Sequence, residues 1–348
     1  MKDWLRNLFR LRSLDGTPVA WWWIAARGGV ALVATYLVLS VALGWWWDEE
    51  PELFVPHEVA AIHAERAGAR MVTGYTFSVT LIEIMRTLLD KRGGYLSNDL
   101  FPPGLWMDNV PSWEYGVLIQ VRDASRAMRV DMSRSQSQSA EDIDLSNAEP
   151  KFSFDNQSWI FPESEDVYGE GITLLEGYVG RLGKKEVGGA QFYARADNLR
   201  NWLAGVETRL GSLSQRLSSA VGKRQIDLDA VRAEEETGVA APNDLEVKTP
   251  WLEIDDVFYE ARGQCWALVH LLKAADEDFA PVLENKSARL SLQQIIRELE
   301  STQQPIWSPM ILNGTGFGFV ANHSLVMASH ISRANAAIID LRALLSQG

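Results

Sequence analysis

The sequence has a single cysteine, Cys265, among its 348 residues. A domain exported from the cytoplasm would therefore contain no intramolecular disulfide, and its stability would have to come from packing. Cys265 lies on an apolar helical stripe, where a free thiol is more often a small core residue than a reactive group. We expect it to be inert.

Histidine is also scarce, and the five that are present lack the spacing of a metal site. Zinc-binding pairs on a helix are usually three or four residues apart. His57 and His63 are too far apart for this, as are His323 and His330, and His270 stands alone. We therefore expect no metal and no cofactor.

Signatures of nucleotide binding and of nucleophilic catalysis are missing as well. The segment GRLGKK, residues 180–185, lacks the glycine spacing of a phosphate loop and has lysine where serine or threonine would reach magnesium. No serine stands in a nucleophile elbow. The net charge of −13 argues against a nucleic-acid partner, because phosphate binding needs a basic surface.

What the sequence does contain is a stretch of twenty residues without a charge, Gly28–Trp47. At about 1.5 Å per residue, a helix of this length spans about 30 Å, the thickness of a bilayer's hydrocarbon core. Indole rings favour the headgroup level, and a cluster of them stands at each end of the stretch. The predicted anchor residues are Trp21, Trp22, Trp23, Arg27, Trp45, Trp46 and Trp47.

The distribution of charge orients this helix. Residues 1–47 carry a net charge of +3, which leaves −16 for the remainder. Since lysine and arginine near a span stay on the cytoplasmic side, the N-terminus is predicted in the cytoplasm and residues 48–348 in the periplasm. The competing interpretation is a cleaved signal peptide, with Ser40 and Ala42 as small residues before the cut. The long segment ahead of the apolar stretch favours an uncleaved anchor.

Five regions follow from these patterns. Residues 1–17 form a basic amphipathic segment that either lies on the inner leaflet or is a frayed leader. Residues 18–47 are the transmembrane helix with its interfacial extension. In the exported part we predict a first helical part over 48–132, a polar mobile linker over 133–158 and a second helical part over 159–348.

The exported part is predicted to be all-α, because no segment shows sustained strict alternation of apolar and polar residues. One helix is predicted from about His57 to Arg92. The longest periodic signal is a heptad seam, in which steps of four and three alternate. Its members are Phe192, Ala196, Leu199, Leu203, Val206, Leu210, Leu213, Leu217 and Ala220.

Such a seam has to pack along another helix, either within a bundle or in a homodimeric coiled coil. The bundle is favoured because the last helix carries a matching stripe of apolar residues. That stripe consists of Met327, Ile331, Ala334, Ile338, Leu341 and Leu345.

Aromatic loops are the main functional indication. Trp106, Trp113, Trp159 and Trp307, with Trp251, lie in or beside connections rich in proline and glycine, and loops carry binding more often than helices do. We therefore expect a non-catalytic envelope interaction or scaffold protein, whose partners are the lipid bilayer and another envelope protein.

The alternative function is a periplasmic hydrolase of cell-wall glycan. Such an enzyme needs a carboxylic acid in a cleft lined with aromatic rings. Glu83, or the group Glu163, Glu165 and Asp166 beside Trp159, could supply the acid. Against Glu83, it shares a polar helical strip with Arg86 three residues on, which is typical of a solvated face.

Three stretches carry a resemblance to a known family. They are GWWWDEEPELF at Gly44–Phe54, LFPPGLWMDNVPSWEYG at Leu100–Gly116 and WSPMILNGTGFGFVANHS at Trp307–Ser324. With the overall length, they resemble a proteobacterial domain-of-unknown-function family of single-span inner-membrane proteins. The resemblance implies a Gram-negative inner-membrane location and no established activity, so it assigns no functional residues.

Overall fold

The computed structural model describes residues 21–135, 140–184, 189–226, 244–308, 310–314 and 319–347. Over this part the chain forms helices and one antiparallel pair of short strands. The helices are α1 (Trp21–Trp47), α2 (Pro56–Ala67), α3 (Tyr75–Asp90), α4 (Asn109–Ala127), α5 (Ile143–Phe152), α6 (Ser164–Lys184), α7 (Ala196–Ser218), α8 (Ile254–Asp278), α9 (Ala280–Asn285), α10 (Arg289–Glu300) and α11 (His323–Ser346), and the strands are β1 (Lys223–Ile226) and β2 (Asp244–Val247). The predicted all-α class is confirmed.

Helix α1 is long and apolar enough to cross a membrane, by its length and composition. Most of its surface from Ala25 onward is exposed, as a helix surrounded by lipid would be. The basic segment 1–17 and the first residues of the predicted span lie outside the described residues, as do the side chains of Trp21, Trp22 and Trp23.

The helix predicted from His57 to Arg92 is two helices. Gly68 and Gly74 both have positive φ angles, of 58° and 87°, and this left-handed backbone ends α2 and precedes α3. The Asp278 carboxylate accepts hydrogen bonds of 2.7 Å from the backbone N–H groups of Gly74 and Phe77. These bonds satisfy donors that the start of α3 would otherwise leave unpaired. Helix α3 is almost fully buried and central in its bundle.

The two predicted halves of the exported part share one hydrophobic core. Helices α4 and α8 lie side by side and parallel, with Ser112 bonded to Asp256 and Gln120 to Gln264. Their backbones approach closely at two glycines, Gly116 on α4 and Gly263 on α8. A Cβ atom on Gly116 would lie 2.1 Å from the Glu260 carbonyl oxygen.

The predicted polar linker over 133–158 contains a packed helix. Helix α5 begins at Ile143, and the Asp142 carboxylate caps its first N–H groups. Leu145, Ala148 and Phe152 are buried in the shared core. The polar residues of the segment form the outer face of α5, which is why composition alone indicated a linker.

The heptad seam is covered within the chain. Every member from Leu199 to Leu217 is buried, and so is the matching stripe on α11. Helices α7 and α11 run antiparallel, since Glu207 pairs with Arg342 while Ser214 bonds to Ser332. The predicted bundle is confirmed, and the seam gives no reason to expect a homodimer.

Candidate functional site

The segment between α1 and α2 is docked on the bundle along its length. We call residues 48–54, DEEPELF, the anchor junction. The indole N–H of Trp266 donates to the Pro51 carbonyl oxygen at 3.0 Å, and the backbone N–H of Phe54 donates to Nε2 of His270 at 3.0 Å. The Phe54 ring also stacks on the His270 ring, with 3.8 Å between their centroids. The junction is therefore part of the folded body.

Arg262 forms the charged contact of this site. Its guanidinium donates to both carboxylate oxygens of Glu50, with nitrogen–oxygen distances between 2.6 and 3.0 Å. It also donates to the carbonyl oxygens of Thr302 and Gln304, at 3.0 Å each. The Arg262 side chain is only 7% exposed, so this network lies largely away from water. Charge-assisted bonds of this kind are stronger than those between neutral groups.

One face of α8 presents all three contacts. Arg262, Trp266 and His270 stand at successive steps of four residues, which places them one above another on a helix. This stripe was not predicted from the sequence. An arginine and a histidine at steps of four from an indole on one helix would have indicated it.

The structure fixes the tautomer of His270. Nδ1 lies 2.7 Å from the Trp266 carbonyl oxygen, which can only accept, so Nδ1 carries the proton. Nε2 is then free to accept from Phe54. Burial lowers the pKa of His270 to about 3, because the charged imidazolium would lose its hydration.

A second set of contacts holds the other side of the junction. Arg92 pairs with Glu49, and its guanidinium lies over the Trp46 ring at 6.0 Å from the centroid. Nearby, Lys91 pairs with Glu114, which is fully buried. Glu114 also accepts from the backbone N–H groups of Leu96 and Ser97, both at 2.8 Å. The residues that follow α3 are thereby fixed against α4.

The four tryptophans predicted to bind have different environments. Trp113 is buried and packs on Trp266 with 5.3 Å between ring centroids, so its indole ring does not lie at the surface. The reason is that α4 begins at Asn109, which places Trp113 on the face of α4 that meets α8. Trp106 and Trp159 are half exposed, and Trp307 is 95% exposed.

Two of these tryptophans belong to neighbouring loops. The Asn98 side-chain amide donates to the Ser158 carbonyl oxygen at 2.9 Å, which brings the loop of Trp159 beside the loop of Trp106. Trp307 lines a cavity next to Arg262. Trp251 lines another cavity, of about 420 Å³, together with Asp108.

The predicted anchor residues that can be described are at the surface. Trp45 and Trp46 are exposed, and Trp47 is partly covered. Arg27 is exposed at the other end of α1. This arrangement suits an interfacial role, because both ends of the apolar helix present polar or amphipathic groups outward.

The carboxylates proposed for a hydrolase have different surroundings. Glu83 lines an open cavity beside the anchor junction, whose described lining residues include no aromatic ring. Glu163 and Asp166 are exposed, and the Glu165 carboxylate accepts from the Asn98 amide at 2.7 Å. Within the described ranges, no cluster of metal-ligating side chains is found. Cys265 is buried, and burial raises the pKa of its thiol to about 12.

Comparison with known proteins gives one match. The family described as "Uncharacterized protein conserved in bacteria (DUF2333)" matches residues 19–348. No curated protein and no solved structure matches the chain.

Proposed function

Because this chain belongs to the uncharacterised bacterial family DUF2333, we propose that it is a single-pass inner-membrane protein whose bundle serves as an interaction or scaffold component of the envelope. In this proposal α1 spans the membrane, the N-terminus is cytoplasmic and residues 48–348 are periplasmic. The excess of positive charge before the span and of negative charge after it supports this orientation.

The observation that carries the proposal is the docked anchor junction. Domains joined by a free linker move independently by default, and a tethered enzyme can act at many positions. Here Glu50, Pro51 and Phe54 are each bonded to α8. A bundle held in one orientation above the bilayer presents the same surfaces to its neighbours at all times, as a scaffold requires.

The glycan-hydrolase alternative has less support. It needs two carboxylates that flank one bond of the substrate, in a cleft with aromatic walls. The cavity at Glu83 has no aromatic ring among its described lining residues, and Glu163 and Asp166 are exposed.

Orientation is tested by reporter fusions after Gly348. We expect a fused alkaline phosphatase to be active and a reporter that works only in the cytoplasm to be inactive. The reverse pattern would contradict the proposed topology.

The scaffold role is tested by photo-crosslinking in native membranes. A crosslinking amino acid replaces Trp307, and the control replaces Leu290, which is exposed on α10. We expect defined adducts from position 307 that disappear when a flexible Gly-Ser segment is inserted between Trp47 and Asp48. Adducts that survive the insertion would show that fixed orientation is unnecessary. Digestion of peptidoglycan by the purified full chain, abolished by Glu83→Gln or Glu165→Gln, would replace this proposal with the hydrolase.

A further inference from the structure

An uncharged loop lies alongside the last turns of α1. Residues 100–107, LFPPGLWM, connect the region after α3 to α4 and are called the proline loop below. The Tyr36 hydroxyl donates to the Pro102 carbonyl oxygen at 2.9 Å. A Cβ atom on Gly44 would lie 3.4 Å from Cβ of Pro103. Tyr36 and Gly44 are eight residues apart, about 12 Å along the axis at about 1.5 Å per residue, so the loop contacts the second half of α1.

The outer surface of the proline loop is apolar and open. Phe101 is 75% exposed, and Leu100, Leu105 and Trp106 are exposed as well. Helix α1 is just as apolar and exposed between Tyr36 and Gly44, where Val38 is 69% and Val41 is 64% exposed. The medium that covers this part of α1 must also cover the loop. If α1 spans a bilayer, that medium is lipid.

Much of the backbone of the proline loop either lacks an N–H group or is paired within the protein. Irregular backbone enters hydrocarbon only if its polar groups find partners, since each unpaired group costs several kcal/mol. Pro102 and Pro103 have no N–H group to satisfy. The N–H groups of Leu105, Trp106 and Met107 donate to carbonyl oxygens inside the loop, at 2.9 to 3.2 Å. The Tyr36 hydroxyl supplies the donor for Pro102.

A second apolar loop continues this surface. The Asn98 amide donates to the Ser158 carbonyl oxygen, so residues 159–161 lie beside the start of the proline loop. Trp159 and Ile160 are half exposed and Phe161 is 92% exposed. Large exposed apolar patches of this kind are characteristic of membrane or protein contacts.

We propose that the proline loop, flanked by residues 159–161, inserts into the outer leaflet of the bilayer beside α1. The occupant of its exposed face is acyl chains rather than another protein, because the loop is continuous with a helix of membrane-spanning length and shares its depth. This inference rests on the proposed membrane anchoring. It adds a second insertion point, which would fix the rotation of the bundle about α1 as well as its tilt.

Nitroxide accessibility in the full chain tests the insertion. Single-cysteine variants Phe101→Cys and Phe161→Cys, in a Cys265→Ala background, are spin-labelled and placed in nanodiscs of phosphatidylethanolamine and phosphatidylglycerol. Collision rates are measured with oxygen, which concentrates in lipid, and with a water-soluble nickel chelate. Val38→Cys on the exposed face of α1 reports the bilayer, and Leu290→Cys, 79% exposed on α10, reports water.

We expect the labels at 101 and 161 to show a ratio of oxygen to nickel collisions several-fold above that at 290 and close to that at 38. A label at 101 that behaves like 290, while 38 lies in lipid, would overturn the insertion and leave the anchoring intact. A label at 38 that behaves like 290 would overturn the anchoring and this inference with it. If the label at 161 behaves like that at 290 while the label at 101 behaves like that at 38, residues 159–161 do not belong to the inserted surface.

Discussion

His270 can accept from the Phe54 backbone only while its Nε2 carries no proton. Burial lowers the pKa of His270 from 6.5 to about 3. At a pH between these two pKa values, His270 binds a proton in the unfolded chain but not in the folded chain. The free energy of unfolding should therefore fall as pH drops through this window, by up to about 1.4 kcal/mol per pH unit.

The variant His270→Gln isolates this contribution, because glutamine does not titrate but can still accept from Phe54. We expect the stability advantage of the native chain over the variant to shrink steadily from pH 6.5 towards pH 3, in thermal unfolding followed by circular dichroism. An advantage that stays constant over this range would show that His270 does not titrate between the folded and unfolded states as described.

Arg262 is the residue whose loss should weaken the anchor junction most. Arg262→Ala would leave Glu50 and two carbonyl oxygens without their donor in a mostly buried site. Breaking a buried pair costs about 3 to 5 kcal/mol. The control is Arg333→Ala, whose guanidinium is half exposed where it pairs with Glu298, and a solvent-exposed pair contributes up to about 1 kcal/mol. Denaturant unfolding that shows equal losses for the two variants would contradict the buried role of Arg262.

At the scale of single residues, the sequence predicted which side chains are buried better than which residues they contact. The heptad leucines and Cys265 were predicted to be buried and are buried. Trp113 was predicted in or beside a loop, and the start of α4 four residues earlier turns it inward. Glu50, the charged partner of Arg262, is more than 200 residues away along the chain. No local sequence pattern encodes such a contact.

At the scale of elements, the close approach of α4 and α8 depends on glycine. A Cβ atom on Gly116 would meet the backbone of α8 at 2.1 Å, so Gly116→Ala must force the two helices apart. Gly205 on α7 has no heavy atom within 4 Å of the same position. Gly205→Ala should stabilise its helix, by about 0.5 to 1 kcal/mol. We expect Gly116→Ala to lower the melting temperature and Gly205→Ala to maintain or raise it. A rise for both would contradict the α4–α8 packing.

The seam between α7 and α11 gives a second prediction at this scale. Leu210→Asp would place an unpaired carboxylate in the core, at a cost of several kcal/mol against a typical domain stability of about 5 to 15. We expect loss of helical circular dichroism in detergent solution. Leu290→Asp, at an exposed position, is the matched control and should change little. Release of folded monomers by Leu210→Asp, detected by sedimentation, would instead favour a seam shared between two copies.

Periodicity predicted most helices because apolar stripes of period near 3.6 are visible without a structure. The heptad seam and the stripe on α11 are examples. The break between α2 and α3 was missed because the apolar pattern continues across Gly68 and Gly74, while the backbone does not. Helix α5 was missed for the opposite reason, since only three of its residues face the core.

At the scale of the whole molecule, the sequence indicated an apolar anchor and a helical bundle but not how they are joined. A stretch such as DEEPELF, with acidic residues and a proline, is typical of an exposed linker. Its docking depends on Arg262, Trp266 and His270 on α8, with Thr302 after α10 bonded to Arg262. These residues come together only after the chain has folded. The same limit applies to the proline loop, whose position beside α1 is a property of the tertiary structure.

The contacts of the anchor junction predict that α1 and the bundle move as one rigid body. This rigidity is tested most directly by electron–electron distance measurement between nitroxides at Val38→Cys on α1 and Leu290→Cys on α10, in the full chain with Cys265→Ala. We expect one narrow distance distribution, which broadens in Arg262→Ala and broadens further when a Gly-Ser segment is inserted between Trp47 and Asp48. A distribution in the unmodified junction that is already as broad as that of the insertion variant would contradict the claim.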